Sequence, residues 1–269
     1  MWRPASGKGA IMTGDMAEAM EAEFDTVAEW TAQVAADLGP EYYIPAGCRG
    51  SGQPVALDWL LAGLHSGPGD LLADIGAGVG GPAAYASGRV GVRPVLVEPE
   101  PGACRAAARL FGAPVLRADA TALPLADGSV HLAWSLGVLC TATGPDAQLA
   151  MLLQMRRVVR PGGRIGLLVY LAVTGQLDDP PEGNHFPTST GLHSLLRHAG
   201  LDVLAVADSE DMPQPPASWQ ERTTAVEREL ERRFGHTPQL AAANGQSHRI
   251  GHLLEIGQLT SQVLLLTRE

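Results

Sequence analysis

The stretch from Leu71 to Ala83 constrains the fold of this chain more than any other segment. A short apolar run ends at Asp74-Ile75, and it is followed by four glycines in six residues and then by Pro82. Apolar residues before clustered glycines indicate a buried strand that turns sharply into a helix, and proline is favoured where a helix begins. Glycines let the backbone approach a ligand closely, and a helix N-terminus offers free N–H groups to it. The stretch therefore predicts a nucleotide-type cofactor site, with a plain structural turn as the alternative.

Composition and charge restrict the partners of the chain. It has 19 Lys and Arg residues against 29 Asp and Glu residues, a net charge of −10, which disfavours a nucleic-acid partner. No apolar run approaches the roughly 18 residues of a membrane span, and no apolar secretory segment begins the chain. The three cysteines, Cys48, Cys104 and Cys140, lie far apart, which predicts neither a metal site nor a disulfide framework. We expect a cytoplasmic protein with a small-molecule substrate, as a monomer or a homodimer.

Short apolar runs alternate with helical patterns along most of the chain. Strands are predicted at 71–75, 94–98, 115–117, 130–135, 164–170, 201–206 and 262–266. This alternation predicts a doubly wound α/β fold with a mostly parallel sheet and helices on both faces. Ligands of such folds lie outside the carboxyl ends of the strands. Asp74, Gly76, Glu98, Asp119 and Ser135 are therefore expected along one edge of the sheet.

Two acidic residues at this edge differ in how well they distinguish between classes of cofactor. Glu98 ends the second strand and can accept both hydroxyls of a ribose, but an NAD enzyme would also have an acid there. Asp119 ends the third strand, where its carboxylate beside the N–H of Ala120 suits the N6 and N1 atoms of an adenine. Capping of a turn is the alternative role of Asp119.

Four motifs in this order make residues 71–170 resemble the class I S-adenosylmethionine-dependent methyltransferases. They are Asp74-x-Gly76-x-Gly78-x-Gly80, the acid Glu98, the segment Asp119-Ala120-x-x-Leu123-Pro124, and the turn Arg160-Pro161-Gly162-Gly163. The resemblance implies a seven-stranded, Rossmann-like sheet whose last strand is antiparallel. The glycine region is similar to that of members that methylate small or lipid-like molecules. One departure is Val130-His131, where the family often has Phe-Asp, so we interpret His131 as structural.

The resemblance also implies which residues bind S-adenosyl-L-methionine. The methionine part is assigned to Asp74 and to the backbone of Gly76, Ala77, Gly78 and Gly80. The ribose is assigned to Glu98 with Pro99 beside it, the adenine to Asp119 and Ala120, and the pocket wall to Ser135 and Leu136. No metal is implied.

The acceptor is expected to contact the parts of the chain that surround this core. These parts are an N-terminal helical extension with a lid loop (1–54), the loop 171–188, and a helical insertion (211–258) within the methyltransferase domain (55–269). A helix is predicted from Asp15, with Glu18 completing a capping box. The insertion has the pattern of two amphipathic helices. Two roles are open for these helices: they cover the acceptor as a cap, or they form a dimer interface.

Methyl transfer depends chiefly on alignment, and a general base helps only when the acceptor must lose a proton. His185, in the loop after the fifth strand, is the first candidate for such a base. Tyr43, His248 and His252 are weaker candidates.

The sequence thus predicts a bacterial methyltransferase that acts on a small apolar or aromatic molecule, as in natural product biosynthesis. A protein of the same fold that uses the cofactor without methyl transfer, such as a cyclase or a binding subunit, is one alternative. An NAD(P)-dependent oxidoreductase is the other, because Gly76, Gly78 and Gly81 also fit G-x-G-x-x-G. The Asp119 segment and the roughly 70 residues before the glycine turn stand against it.

Overall fold

The computed structural model describes residues 22–50 and 52–268. Its strands are β1 (Leu71–Ile75), β2 (Arg93–Glu98), β3 (Val115–Arg117), β4 (Val130–Leu136), β5 (Val159–Ala172), β6 (Asp202–Asp208) and β7 (Leu259–Thr267). They form one sheet in the order β3-β2-β1-β4-β5-β7-β6. Strand β7 is antiparallel to both of its neighbours, and the other pairs are parallel. The predicted doubly wound, mostly parallel, seven-stranded sheet is confirmed.

Helices flank this sheet and extend beyond its carboxyl edge. They are α1 (Ala28–Leu38), α2 (Tyr43–Gly47), α3 (Pro54–Leu64), α4 (Gly81–Val90), α5 (Pro101–Phe111), α6 (Pro145–Val158), α7 (Ser189–Ala199), α8 (Ala217–Phe234) and α9 (Pro238–Glu255). A π-helical segment, Ala22–Val27, leads into α1, and short 3-10 turns cover Pro40–Tyr42, Leu139–Thr141 and Ser209–Asp211. No helix in the described part of the chain combines the length and the apolar character that crossing a membrane requires.

Three local predictions have different outcomes in the structure. The lid loop is not wholly irregular, because it contains the 3-10 turn and α2. The turn at Arg160–Gly163 is a bulge inside β5: Val130 pairs with Val159, whereas Leu132 pairs with Arg164. Positive φ at Gly162 permits this bulge. The predicted capping box of Asp15 and Glu18 lies outside the described residues.

The sheet is buried on both faces, as its continuous apolar runs indicate. On one face, Leu72 and Trp134 pack with Leu60 of α3. On the other, Ala73 packs in a cluster with Met151 of α6 and with residues of α7. This sandwich fixes the direction of β1 and therefore the position of the glycine turn that follows it.

A third apolar cluster contains no strand residue among its described members. It joins α1, α2, α5, α8 and α9, and includes Ala32, Leu110, Val226 and Leu240. At its margin Trp30 of α1 stacks on Phe234 of α8, with ring centroids 4.3 Å apart and nearly parallel planes. We call this group of helices the helical cover.

Candidate functional site

The glycine turn between β1 and α4 is a rigid cradle. The N–H groups of Gly76 and Ala77 donate to the carbonyl of Val97 at 2.8 and 3.1 Å. Gly76, Gly78 and Gly80 all have positive φ, which disfavours other residues. A Cβ on Gly76 would lie 2.5 Å from Val138 Cγ2, whereas nothing lies within 4 Å of that position on Gly78. The backbone at Gly78 therefore borders open space.

Glu98 joins the end of β2 to this cradle. Its Oε2 accepts from the N–H of Gly78 at 2.7 Å, and its Oε1 accepts from the N–H of Glu100 at 3.1 Å. The residue is only 5% exposed. Burial raises the pKa of Glu98 to about 7, although the two backbone hydrogen bonds oppose the rise. Each carboxylate oxygen has further acceptor capacity, so hydroxyl groups of a ligand can bind here.

Asp74 is a second buried acid beneath the same turn. It is 2% exposed, and its Oδ2 has no hydrogen-bond partner among the described residues. Burial raises the pKa of Asp74 to about 7, the side chain of Trp134 opposes this rise, and the charge of Glu98 adds to it. A buried acceptor without a donor is costly in a folded protein. The polar side chain that faces Asp74 is the indole of Trp134, and Asp74 does not line the cavity in front of the turn.

A cavity of about 420 Å³ opens in front of the cradle. We call it the cofactor cavity, and its size is that of a small-molecule site. It lies outside the carboxyl ends of β1 and β4, where the strand order reverses, as expected for ligand sites in such sheets. Six predicted cofactor residues line it: Gly76, Ala77, Gly78, Glu98, Pro99 and Leu136. The open backbone position at Gly78 and the ribose-type acid Glu98 fit S-adenosylmethionine.

The other predicted cofactor residues do not line this cavity. Asp119 is exposed, and its Oδ1 accepts from the N–H of Thr121 at 2.7 Å, so it caps the turn that follows β3. Ser135 is buried and donates its hydroxyl to the carbonyl of Ile75 at 2.8 Å. Gly80 packs towards Leu96, and a Cβ there would lie 2.6 Å from Cδ2 of that leucine. For Asp74, Asp119, Ala120, Ser135 and Gly80, contact with the cofactor stays a prediction.

Several lining residues were missed because they come from the helical cover. Phe24, Ala28 and Thr31 approach from the N-terminal segment, and Gln246 and Ile250 approach from α9. Gly137, Val138, Cys140 and Thr141 follow β4 and complete the wall. The apolar spacing of the N-terminal helix was visible in the sequence, but its docking position over the glycine turn was not.

A second cavity, also of about 420 Å³, lies beside the first. Its wall combines apolar side chains, which include Leu168 of β5 and Trp219 and Leu230 of α8, with polar side chains such as Gln53 and Thr223. Trp219 is held edge-on against Tyr85, with ring centroids 6.2 Å apart. We call this space the second cavity. Five residues line both cavities: Thr31, Arg49, Gly50, Tyr170 and Leu254.

None of the predicted base candidates lines either cavity. His185 has an exposed side chain, while its backbone is fixed by an N–H donated to Cys140 and a carbonyl that accepts from Gln148 at 2.7 Å. Tyr43 packs edge-on against Phe111. No histidine occurs among the described residues that line either cavity. Catalytic roles for His185 and Tyr43 stay predictions that these positions do not favour.

His131 has a structural environment, as the sequence interpretation expects. Its Nδ1 accepts from the backbone N–H of Leu71 at 3.0 Å, and its Nε2 lies 3.6 Å from Asp70 Oδ1. The imidazole thereby ties the start of β4 to the start of β1, at the sheet edge opposite the cavities.

Comparisons with known proteins agree with this geometry. Residues 73–167 match the model of the family described as "Methyltransferase domain". An "Uncharacterized methyltransferase" of Mycobacterium avium (strain 104) is 38% identical over 130 residues, which cover 47% of each chain. One of Mycobacterium ulcerans (strain Agy99) is 39% identical over 132 residues, again 47% of each. The match thus spans about half the length of these curated relatives.

Solved structures resemble the whole sheet at low sequence identity and therefore show the fold alone. The cyclopropane synthase MmaA2 from Mycobacterium tuberculosis has a TM-score of 0.66 at 15% identity, covering 89% of this chain and 98% of its own. The [4+2]-cyclase SpnF has a TM-score of 0.61 at 20% identity, covering 79% of each. Geranyl diphosphate C-methyltransferase from Streptomyces coelicolor A3(2) has a TM-score of 0.60 at 14% identity, covering 79% of this chain and 75% of its own. Residues 73–167 match a methyltransferase domain, and the resemblance of this chain to the class I S-adenosylmethionine-dependent methyltransferases is confirmed.

Proposed function

We propose that this chain transfers the methyl group of S-adenosylmethionine to a small, largely apolar molecule bound in the second cavity. One observation carries the proposal. The backbone N–H of Gly78 in the glycine turn donates a hydrogen bond to the carboxylate of Glu98 at the floor of the cofactor cavity. The methyltransferase domain match over residues 73–167 supports it.

Different residues of the chain would bind different parts of the cofactor. Glu98 would accept the ribose hydroxyls, and Asp74 with the turn at Gly76–Gly78 would hold the methionine part. The cofactor supplies a methyl group on a positively charged sulfonium. The buried Glu98 lines this cavity, and its ionised form favours a cationic ligand electrostatically. The helical cover would exclude water and hold the acceptor in line, which is the main requirement of such a displacement.

Calorimetric titration tests this proposal. Wild-type protein should bind S-adenosylhomocysteine with micromolar affinity and should not bind NADH. Glu98→Gln should weaken that binding by about tenfold or more, because one charge-assisted acceptor is lost. Asp202→Asn, at an exposed position where β6 begins, is the control for removing one negative charge.

Three outcomes decide between the open functions. Binding of NADH instead of S-adenosylhomocysteine would replace the proposal by an oxidoreductase. If neither ligand binds, the proposal that this chain uses S-adenosylmethionine is wrong. Cofactor binding without methyl loss across a broad acceptor panel would favour a non-methylating role, as the sequence alternative holds.

A further inference from the structure

The two cavities meet at a junction made of five residues: Thr31, Arg49, Gly50, Tyr170 and Leu254. If the proposed function is correct, a methyl group passes from one cavity to the other at this place. The side chains at the junction therefore determine which chemical group can receive it. This inference rests on the proposed function and concerns only the second ligand.

The polar side chains at the junction are hydrogen-bond donors. Tyr170 donates its hydroxyl to the carbonyl of Gly50 at 3.2 Å. Burial raises the pKa of Tyr170 to about 12, so the phenol remains protonated at neutral pH. Thr31 donates its hydroxyl to the carbonyl of Val27 at 2.7 Å. Arg49 is exposed, and its guanidinium forms no ion pair or hydrogen bond with any described residue.

No group at the junction can take a proton from an acceptor. The carboxylates that line the cavities are Glu98 and Glu100 on the cofactor side and the exposed Glu227 in the second cavity. The thiol of Cys48 also lines the second cavity, but burial raises its pKa, and it stays protonated. A neutral alcohol or an ammonium group would need a base that the described junction lacks.

We infer that the acceptor is an apolar carboxylic acid, held as its carboxylate by the Arg49 guanidinium, and that the product is its methyl ester. A carboxylate is already ionised at neutral pH, so its attack requires no base. Guanidinium binds carboxylate well and repels ammonium. One carboxylate oxygen attacks the methyl carbon, the carbon–sulfur bond breaks, and its electron pair stays on sulfur. A methyl ester and a neutral thioether form, and no proton is released.

The wall of the second cavity fits the rest of such a molecule. Leu168, Met212, Trp219 and Leu230 surround the space beyond Arg49. Burial of an apolar body against these side chains stabilises binding in proportion to the area removed from water. Arg49 and this group of apolar side chains in one wall favour a ligand with one anionic head and an apolar or aromatic body.

Three probes that differ only in the head group test this inference. In the presence of S-adenosylhomocysteine, 3-phenylpropanoate, 3-phenylpropan-1-ol and 3-phenylpropylamine are titrated calorimetrically against the full chain. The carboxylate should bind about tenfold more tightly than the other two probes. Arg49→Gln should remove this preference, whereas Arg93→Gln, which removes an exposed arginine where β2 begins, should preserve it.

The outcomes separate this inference from the proposed function. If S-adenosylhomocysteine binds but the three probes bind equally, or none binds, the inference is overturned and the proposed function stands. Preference for the amine also overturns it. If Arg49→Gln weakens S-adenosylhomocysteine and leaves the carboxylate preference unchanged, the guanidinium serves the cofactor and the inference fails. Formation of methyl 3-phenylpropanoate from deuterium-labelled cofactor, detected by mass spectrometry, would support it directly.

Discussion

The two cavities of this protein are built in different ways. The cofactor cavity is bordered by the ends of β1, β2 and β4, and its floor is fixed by hydrogen bonds within residues 76–100. The second cavity depends on α8 and on the segment before α3, which the helical cover brings together from distant parts of the chain. The comparison teaches that strand ends set the floor of the cofactor cavity, whereas the packing of α8 sets much of the wall of the second cavity.

The largest effect is expected at the cradle. Gly76→Ala places a Cβ 2.5 Å from Val138 at a residue with φ of 73°. We expect a loss of about 2 kcal/mol in the free energy of unfolding and loss of measurable S-adenosylhomocysteine binding. Gly88→Ala is the matched control: nothing lies within 4 Å of its Cβ position in α4, and alanine should stabilise this helix by up to about 1 kcal/mol. Urea denaturation and calorimetry measure both; equal behaviour of the two variants would contradict the rigid cradle.

The buried acids predict how stability depends on pH. The pKa of Glu98 is raised from 4.5 to about 7 in the folded protein, so between these values the folded state binds more protons than the unfolded state. Stability should therefore fall as the pH rises through this window, with a cost on the order of 3 kcal/mol above it. Asp74 acts in the same direction.

Urea denaturation at about pH 5 and about pH 8 measures this effect, compared between wild type and Glu98→Gln. The variant should lose less stability on going to the higher pH. An identical loss in both proteins would show that the Glu98 carboxyl does not titrate as described.

A smaller effect is expected in the helical cover. Trp30 and Phe234 stack face to face and connect α1 with α8. A double-mutant cycle with Trp30→Ala and Phe234→Ala should give a coupling free energy of about 1 kcal/mol. Because the stack holds the wall of the second cavity, either variant should weaken binding of 3-phenylpropanoate more than binding of S-adenosylhomocysteine. If S-adenosylhomocysteine binding is weakened more than 3-phenylpropanoate binding, the two cavities do not differ in construction as described.

The smallest effect is expected at His185. Its exposed side chain lies outside both cavities, so His185→Ala should change turnover by less than about threefold once an acceptor is known. Tyr170→Phe, at the junction, should reduce turnover more. A large loss with His185→Ala and none with Tyr170→Phe would restore the sequence-based assignment of the base.

Local sequence signals predicted the cofactor side well. Clustered glycines after a buried strand permit few conformations, so Gly76 and Gly78 were expected at the ligand edge of the sheet, with Glu98 at the next strand end, and all three line the cofactor cavity. Asp119 was assigned to adenine although the adjacent Thr121 offers two donors that occupy its Oδ1.

The acceptor side could not be predicted in the same way. Arg49 follows a short helix, and nothing in its neighbourhood shows that it reaches two cavities. Its position results from Gly47, which approaches the backbone of Gly81 so closely that a Cβ would lie 2.8 Å from the Gly81 nitrogen. Contacts of this kind join residues far apart in the chain and have no periodic signature.

Calorimetric titration of S-adenosylhomocysteine into wild type, Glu98→Gln and Arg49→Gln tests the central claim most directly. We predict micromolar affinity for the wild type, a loss of about tenfold or more for Glu98→Gln, and a change within about threefold for Arg49→Gln. Equal losses in the two variants, or no binding to the wild type, would contradict the division of the site into a cofactor cavity and an acceptor cavity.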